Sequence, residues 1–274
     1  MMSKLGSHVH GLALSSLTKS NGSSNGVLEG VLRLLAKWRS LLLQNTLIQQ
    51  NGTTVHQGLL AGLKFLDQSS EGCHIAKLLG TYEQPLQGHV RELLDRGNYK
   101  TLINIGCAEG YYAVGLARTY PALTSYAYDT DPRAREACKG LAAKNGVEDR
   151  VIIDALFAHK EFSKFSDINT LIFCDIEGAE KELLDPVIAP ELSRLDIIVE
   201  SHECLVPGVT ELLIERFSAT HDITRIDDDG MRLLDAMPPW FYKLAHLDQL
   251  LCIWEWRSGP TPWLVMIQKG KLVK

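Results

Sequence analysis

No stretch of this 274-residue chain stays apolar long enough to cross a bilayer, which takes about 20 residues. No signal-peptide pattern opens it, so the expected compartment is the cytoplasm. Its cysteines, at 73, 107, 138, 174, 204 and 252, never fall as C-x-x-C. That spacing excludes a zinc ribbon and a dithiol redox motif. Several of them sit in apolar runs and read as reduced core thiols, which suits a reducing compartment. Lysine and arginine form no cluster, and 28 of them face 33 acids for a net charge of −5. Nucleic acid and anionic membrane are therefore not expected as partners. A last absence is local. The stretch 102–117, LINIGCAEGYYAVGLA, has two glycines in G-x-x-x-G spacing. It lacks the third glycine of the G-x-G-x-x-G found in dinucleotide sites.

What is present builds an ordinary globular core, with 45% apolar and 22% charged residues. Residues 1–26 are rich in Ser, Gly, Asn and His and read as a mobile tail. Residues 27–98 read as an N-terminal helical extension. Within it Val27, Leu28, Val31, Leu34, Leu35, Trp38, Leu41 and Leu42 recur every three or four positions. That period predicts an amphipathic helix over 27–49. Such a helix could pair two copies of the chain or bind a partner. Turn signals fall at 51–52 and 69–72, and further helices are predicted over 74–80 and 85–97.

From 99 to 274 apolar strands alternate with helices. Strands are predicted at 101–105, 124–129, 150–154, 170–175, 195–200, 222–226 and 262–268. Helices are predicted at 110–119, 132–145, 178–185 and 208–218. The alternation predicts a Rossmann-like α/β fold: a seven-stranded, mostly parallel sheet with helices on both faces. The last connection, 228–261, is the longest, with a helix expected through Leu244, Leu247 and Leu251. An insertion at that point tends to close over the ligand crevice.

In an open parallel sheet ligands bind beyond the carboxyl ends of the strands. The first strand ends at Asn104 and runs into Gly106, Cys107 and Gly110. Asp129, with Thr130 beside it, ends the second strand about twenty residues later, where such folds place an acid on ribose hydroxyls. Asp131, followed by Pro132, reads as a helix N-cap. Asp154 and Ala155 end the third strand, where an adenine edge would lie. Asp175 and Glu177 follow the fourth strand, in CDIEGAE. Glu200, His202 and Glu203 end the fifth, in VESHE. Residues two apart in extended chain share a face, so Asp175, Glu177, Glu200 and His202 are expected to converge. Glu180 reads as a solvated helix residue. Tyr82 and Glu83 are candidates for ligand contact. Tyr111 and Tyr112 lie either near a ligand or in the packing. Trp240, Phe241 and Tyr242 line a pocket or cover the core edge.

The strand, the G-x-x-x-G turn and the acid at Asp129 together resemble the class I S-adenosylmethionine-dependent methyltransferases. Their cofactor has no pyrophosphate and needs no third glycine. The run C-D-I-E-G-A-E, with V-E-S-H-E after it, resembles the FkbM-like branch of that class. This resemblance spans roughly residues 78–226 and, more faintly, G-P-T-P-W near the end. It implies S-adenosylmethionine bound by Asn104, Gly106, Cys107, Gly110, Asp129, Thr130, Asp154, Ala155 and Asp175. It also implies O-methylation of a hydroxyl on a small molecule, such as a sugar or a polyketide. Asn104 stands where an aspartate is commoner in the class, which keeps a hydrogen-bonding group and removes a charge.

Two mechanisms are open for Asp175, Glu177, Glu200 and His202. His202 has the ordinary pKa of a general base. The four could instead hold Mg²⁺ or Mn²⁺, for which oxygen ligands with one imidazole are suited. Other functions also remain open. An RNA or protein methyltransferase is opposed by the acidic balance. A binding or scaffold protein could use the same fold. A nicotinamide oxidoreductase is opposed by the missing glycine.

Overall fold

A computed structural model describes residues 4–19, 24–67, 69, 72–165, 169–234 and 236–270. Two helices come first, α1 (Lys4–Lys19) and α2 (Asn25–Asn51), packed on each other. The first corrects the expected mobile tail. Its buried positions are Gly6, Val9 and Ala13, spaced by three and four. Only Val9 of the three is strongly apolar, so the hydrophobic period along this stretch is faint. Residues 1–3 and 20–23 of that stretch, and 70–71 of the 69–72 turn, lie outside the described residues. Helix α2 outruns the predicted 27–49 by two residues at each end.

The next helices, α3 (His74–Leu79) and α4 (Gln84–Arg96), lead into the sheet. There β1 (Thr101–Ile105), α5 (Tyr111–Thr119), β2 (Thr124–Tyr128), α6 (Pro132–Lys144) and β3 (Val151–Asp154) alternate. They are followed by β4 (Thr170–Cys174), α7 (Glu180–Leu183), β5 (Asp196–Glu200), α8 (Val209–Phe217), β6 (His221–Ile226), α9 (His246–Ile253) and β7 (Trp263–Gln268). The strands match the predicted bounds to within one residue. They form one seven-stranded sheet in the order β3-β2-β1-β4-β5-β7-β6. All neighbours are parallel except β7, which runs antiparallel to β5 and β6.

Side chains alternate between two cores. Leu102, Phe173, Ile198 and Val265 face the side covered by α2 to α5, where Leu43, Leu47, Leu79 and Val90 meet them. Ile103, Ile172, Ile197 and Leu264 face the other side, with Phe162, Leu213 and Phe217. The central strands are therefore buried on both faces, which is why they read as unbroken apolar runs. Residues 27–98 share the first of these cores, so the extension forms one layer of the fold. Among the described residues no helix is long and apolar enough to cross a membrane.

Candidate active site

Strand order reverses between β1 and β4, and ligands in such sheets sit beyond the carboxyl ends at that point. Ile105 pairs with Cys174, so the chain leaves both strands side by side. Gly106 follows β1 at φ 78°. A Cβ there would lie 1.6 Å from the Asp175 carbonyl oxygen. The glycine thus serves a close approach to the residue after β4 as well as a turn that other residues resist. Gly110, at φ 91°, closes the loop on α6, where a Cβ would stand 2.6 Å from Cys138 Sγ.

Asp129 ties the end of β2 to this loop. Its Oδ2 accepts from the Ala108 N–H at 2.8 Å, and its Oδ1 from the Asp131 N–H at 2.8 Å. Below the loop Glu109 forms an ion pair with Lys77 of α3 at 2.6 Å, both almost wholly buried. Thr130 and Asp154 are exposed along the same edge, and Ala155 is half-buried. Asp131 caps α6, accepting from the Arg133 N–H, as its place before Pro132 predicts. Two other residues of the expected cofactor set lie deeper. Asn104 is buried and its Nδ2 donates to the Phe173 carbonyl at 3.3 Å, bracing β1 against β4. Cys107 is buried in the loop.

The expected convergence at β4 and β5 is present. His202 Nε2 lies 3.5 Å from Asp175 Oδ1, 3.7 Å from Glu200 Oε2 and 3.8 Å from Glu177 Oε2. His202 and Glu200 are buried, Asp175 is half-buried, and Glu177 is exposed. Glu177 also holds φ 54°, a left-handed conformation uncommon for a side chain with a Cβ. Asp175, Glu200 and His202 offer ligand atoms that lie within 4.8 Å of one another.

One residue overturns its prediction. Glu180, read as solvated, is fully buried and its Oε1 lies 2.7 Å from His202 Nδ1. It also accepts from the Ile176 and Gly178 N–H groups, at 3.3 and 3.2 Å. A proton on Nδ1 donated to Glu180 leaves Nε2 as the nitrogen facing the other carboxylates. Burial opposes charge on His202, yet the bond to Glu180 and the carboxylates of Glu200, Glu180 and Glu177 outweigh it and raise the imidazole above its ordinary value. Glu180 moves the opposite way. Burial would raise it, but His202 and the loop amides hold it below the carboxylate range. Asp175 is pushed well up by burial, then by Glu200, Glu83 and Glu177. Two carboxylates this close cannot both carry charge cheaply without a proton or a cation between them.

The 228–261 connection does cover this crevice, through residues that carry no spacing signal. Arg257 reaches Glu200 and also lies 3.3 Å from Glu83 Oε1 and 3.2 Å from Glu255 Oε2. Glu83, at the start of α4, accepts from Tyr112 Oη at 2.6 Å. Burial and Glu200 push Glu83 up to about 8, against the pull of Arg257. Tyr111 and Tyr112 are buried, and the Tyr112 ring sits 4.3 Å from that of Phe173. Trp240, Phe241 and Tyr242 lie at the core edge. Trp240 Nε1 donates to Asn51 Oδ1, and Phe241 is buried in the first core. The aromatic residues at the crevice are instead Tyr82 and Trp256.

A cavity of about 270 Å³ opens here, with Asp175, Glu177, Glu200 and His202 in its lining. A larger one, of about 650 Å³, follows the 227–262 segment and reaches none of these four.

No family model matches the chain, and no curated protein does. Several solved structures are similar to parts of it. An O-methyltransferase from Bacillus cereus, solved with SAH, is 16% identical over 68% of this chain and 81% of that one, with a TM-score of 0.44. The O-methyltransferase TomG from Streptomyces achromogenes, solved with SAM, is 17% identical over 67% and 80%, with a TM-score of 0.45. An RNA methyltransferase from Salinibacter ruber, solved with S-adenosyl-L-homocysteine, is 19% identical over 43% and 74%, with a TM-score of 0.33.

Proposed function

We propose that the chain is an S-adenosylmethionine-dependent methyltransferase of the FkbM-like kind, acting on a hydroxyl of a small molecule. One observation carries this reading. The 106–110 glycine loop abuts the carboxylate–imidazole cluster through the contact of Gly106 with Asp175. A ligand held by the loop would therefore present its reactive end to His202.

Asp129 is held in place by two backbone amides, and its carboxylate is fitted to accept from ribose hydroxyls. On this reading Asp154 and Ala155 would receive the base, with Thr130, exposed like Asp154, beside the ribose. Asn104 braces β1 at the base of the loop, to which Cys107 and Gly110 themselves belong. The cofactor supplies an electrophilic methyl group. When bound, it would pass that methyl to the acceptor oxygen, with S-adenosylhomocysteine as the leaving group. The hydroxyl proton passes to His202 Nε2, whose other nitrogen Glu180 orients. Glu200, held by Arg257, and Asp175 position the hydroxyl.

A second reading of the same cluster has its own observation. Asp175, Glu200 and His202 are near enough together to ligate one ion, with Glu177 on the open side. Two or three carboxylates with one imidazole suit Mg²⁺ or Mn²⁺. Such an ion would lower the pKa of the acceptor hydroxyl.

Calorimetry with S-adenosylmethionine tests the reading, with Asp129→Ala and His202→Ala beside the wild type. Micromolar binding is expected, weakened about tenfold or more by the first variant and unchanged by the second. His202→Ala should abolish transfer. No heat at millimolar cofactor would refute the assignment. EDTA should lower transfer only if an ion takes part. A pair of chains joined through α2 also remains a proposal, with Leu28, Leu32 and Leu35 exposed there.

A further inference from the structure

We infer that the acceptor carries an oxyanion, a carboxylate or a phosphate, received by Lys37 and Arg33 of α2 in the same cavity as His202. This rests on the methyltransferase reading and adds the class of acceptor. Helix α2 supplies both cations to the cavity lining, together with Trp256 and Ser258 of the covering segment. Arg33 donates to the backbone carbonyls of Trp256 and Arg257 and to Ser258 Oγ, and its guanidinium lies 5.3 Å from the Trp254 ring centre. All of these partners are neutral. Lys37 Nζ lies 4.9 Å from the Trp256 ring centre. Among the described residues no carboxylate pairs with either cation. Burial and then Arg33 lower the Lys37 ammonium below its ordinary value.

The same wall holds a donor without an acceptor. The Trp256 indole N–H is buried and has no hydrogen-bond partner among the described residues. Trp256 also keeps φ 65°, a left-handed conformation that a tryptophan adopts at a cost. Two cations without a carboxylate partner thus line one small cavity, whose acids Asp175, Glu177, Glu200 and Glu255 are engaged with His202, Arg257 and Arg232. Partly desolvated positive charge with no carboxylate paired to it directly is unfavourable, and an oxyanion from the ligand relieves it. A neutral acceptor would leave that cost in place, and a cationic one would add to it. The amphipathic helix that the sequence offered for partner binding is on this account a wall of the acceptor pocket.

The test uses the full chain saturated with S-adenosylhomocysteine. Inorganic phosphate and benzoate are titrated separately at constant ionic strength by calorimetry. At least one should bind at about 10 mM or below. Lys37→Met and Lys37→Gln should weaken binding about tenfold, and Lys37→Arg should restore it. Melting temperatures show which variants are folded. Binding of phosphate alone assigns a phosphate ester, of benzoate alone a carboxylate, and of both an oxyanion of either kind. If neither binds while S-adenosylhomocysteine does, the inference is overturned and the enzyme assignment stands. Anion binding that is indifferent to Lys37→Met and Lys37→Gln also overturns it. Failure of S-adenosylhomocysteine itself to bind refutes the enzyme assignment instead.

Discussion

Replacing Glu180 by glutamine isolates the one contact that orients His202. Glu180 is fully buried, and its Oε1 lies 2.7 Å from His202 Nδ1. Glutamine keeps the shape and removes the charge. A hydrogen bond to a charged group contributes about 1.5–3 kcal/mol and a neutral one about 0.5–1.5. The loss is therefore about 1–2 kcal/mol. The other carboxylate oxygen, Oε2, is buried with no partner. An amide NH₂ in its place would be an unsatisfied donor costing about 1–3 kcal/mol, for a total of about 2–5 kcal/mol. Because 1.36 kcal/mol is one pKa unit, His202 should titrate about one unit lower in Glu180→Gln.

The pH dependence follows from the two shifts. His202 is raised above 6.5, so its share of stability is complete below that value and fades as pH rises through the raised one. Glu180 is lowered below 4.5, so its share is complete above that value and fades as pH falls through the lowered one. The deficit of Glu180→Gln should thus be greatest between about 4.5 and 6.5 and shrink on either side. Urea melts across that range and an NMR titration of His202 measure both effects. Transfer by the wild type should rise as His202 deprotonates above 6.5, and the rising limb should move to lower pH in the variant. An unchanged His202 titration, or a stability loss that is flat with pH, would refute this account of the pair.

Two further expectations come from the same geometry. Gly106→Ala would place a Cβ 1.6 Å from the Asp175 carbonyl oxygen at φ 78°, so stability should fall by about 3 kcal/mol or more and S-adenosylhomocysteine binding with it. A wild-type denaturation midpoint would show that the loop does not need that approach. Cys204 is the one exposed cysteine of the six, and it lines the 270 Å³ cavity. Iodoacetamide should alkylate it first, as peptide mapping would show, and block transfer while leaving S-adenosylhomocysteine affinity intact. Full transfer by the alkylated protein would place the acceptor elsewhere.

Much of this protein was decided locally and could be read along the chain. Strand and helix periods depend on neighbours two to four residues away, so the seven strands were legible to within a residue. The loop glycines, Asp129 and the acids after β4 and β5 were legible because strand ends are where such a sheet places its ligands. Helix α1 was not, since Gly6, Val9 and Ala13 are buried only because α2 lies against them. The fate of Glu180 was not legible either. A glutamate on a short helix looks solvated until β5 brings His202 over it. Its place as the last acid of D-x-E-G-A-E was the one available signal. Arg257 had none, because its partners Glu83 and Glu200 are 174 and 57 residues away. The sequence alone thus determined the sheet and the residue types at its edge. Only the tertiary structure decided which charges meet, because a buried pair is set by chain crossings that no local period encodes.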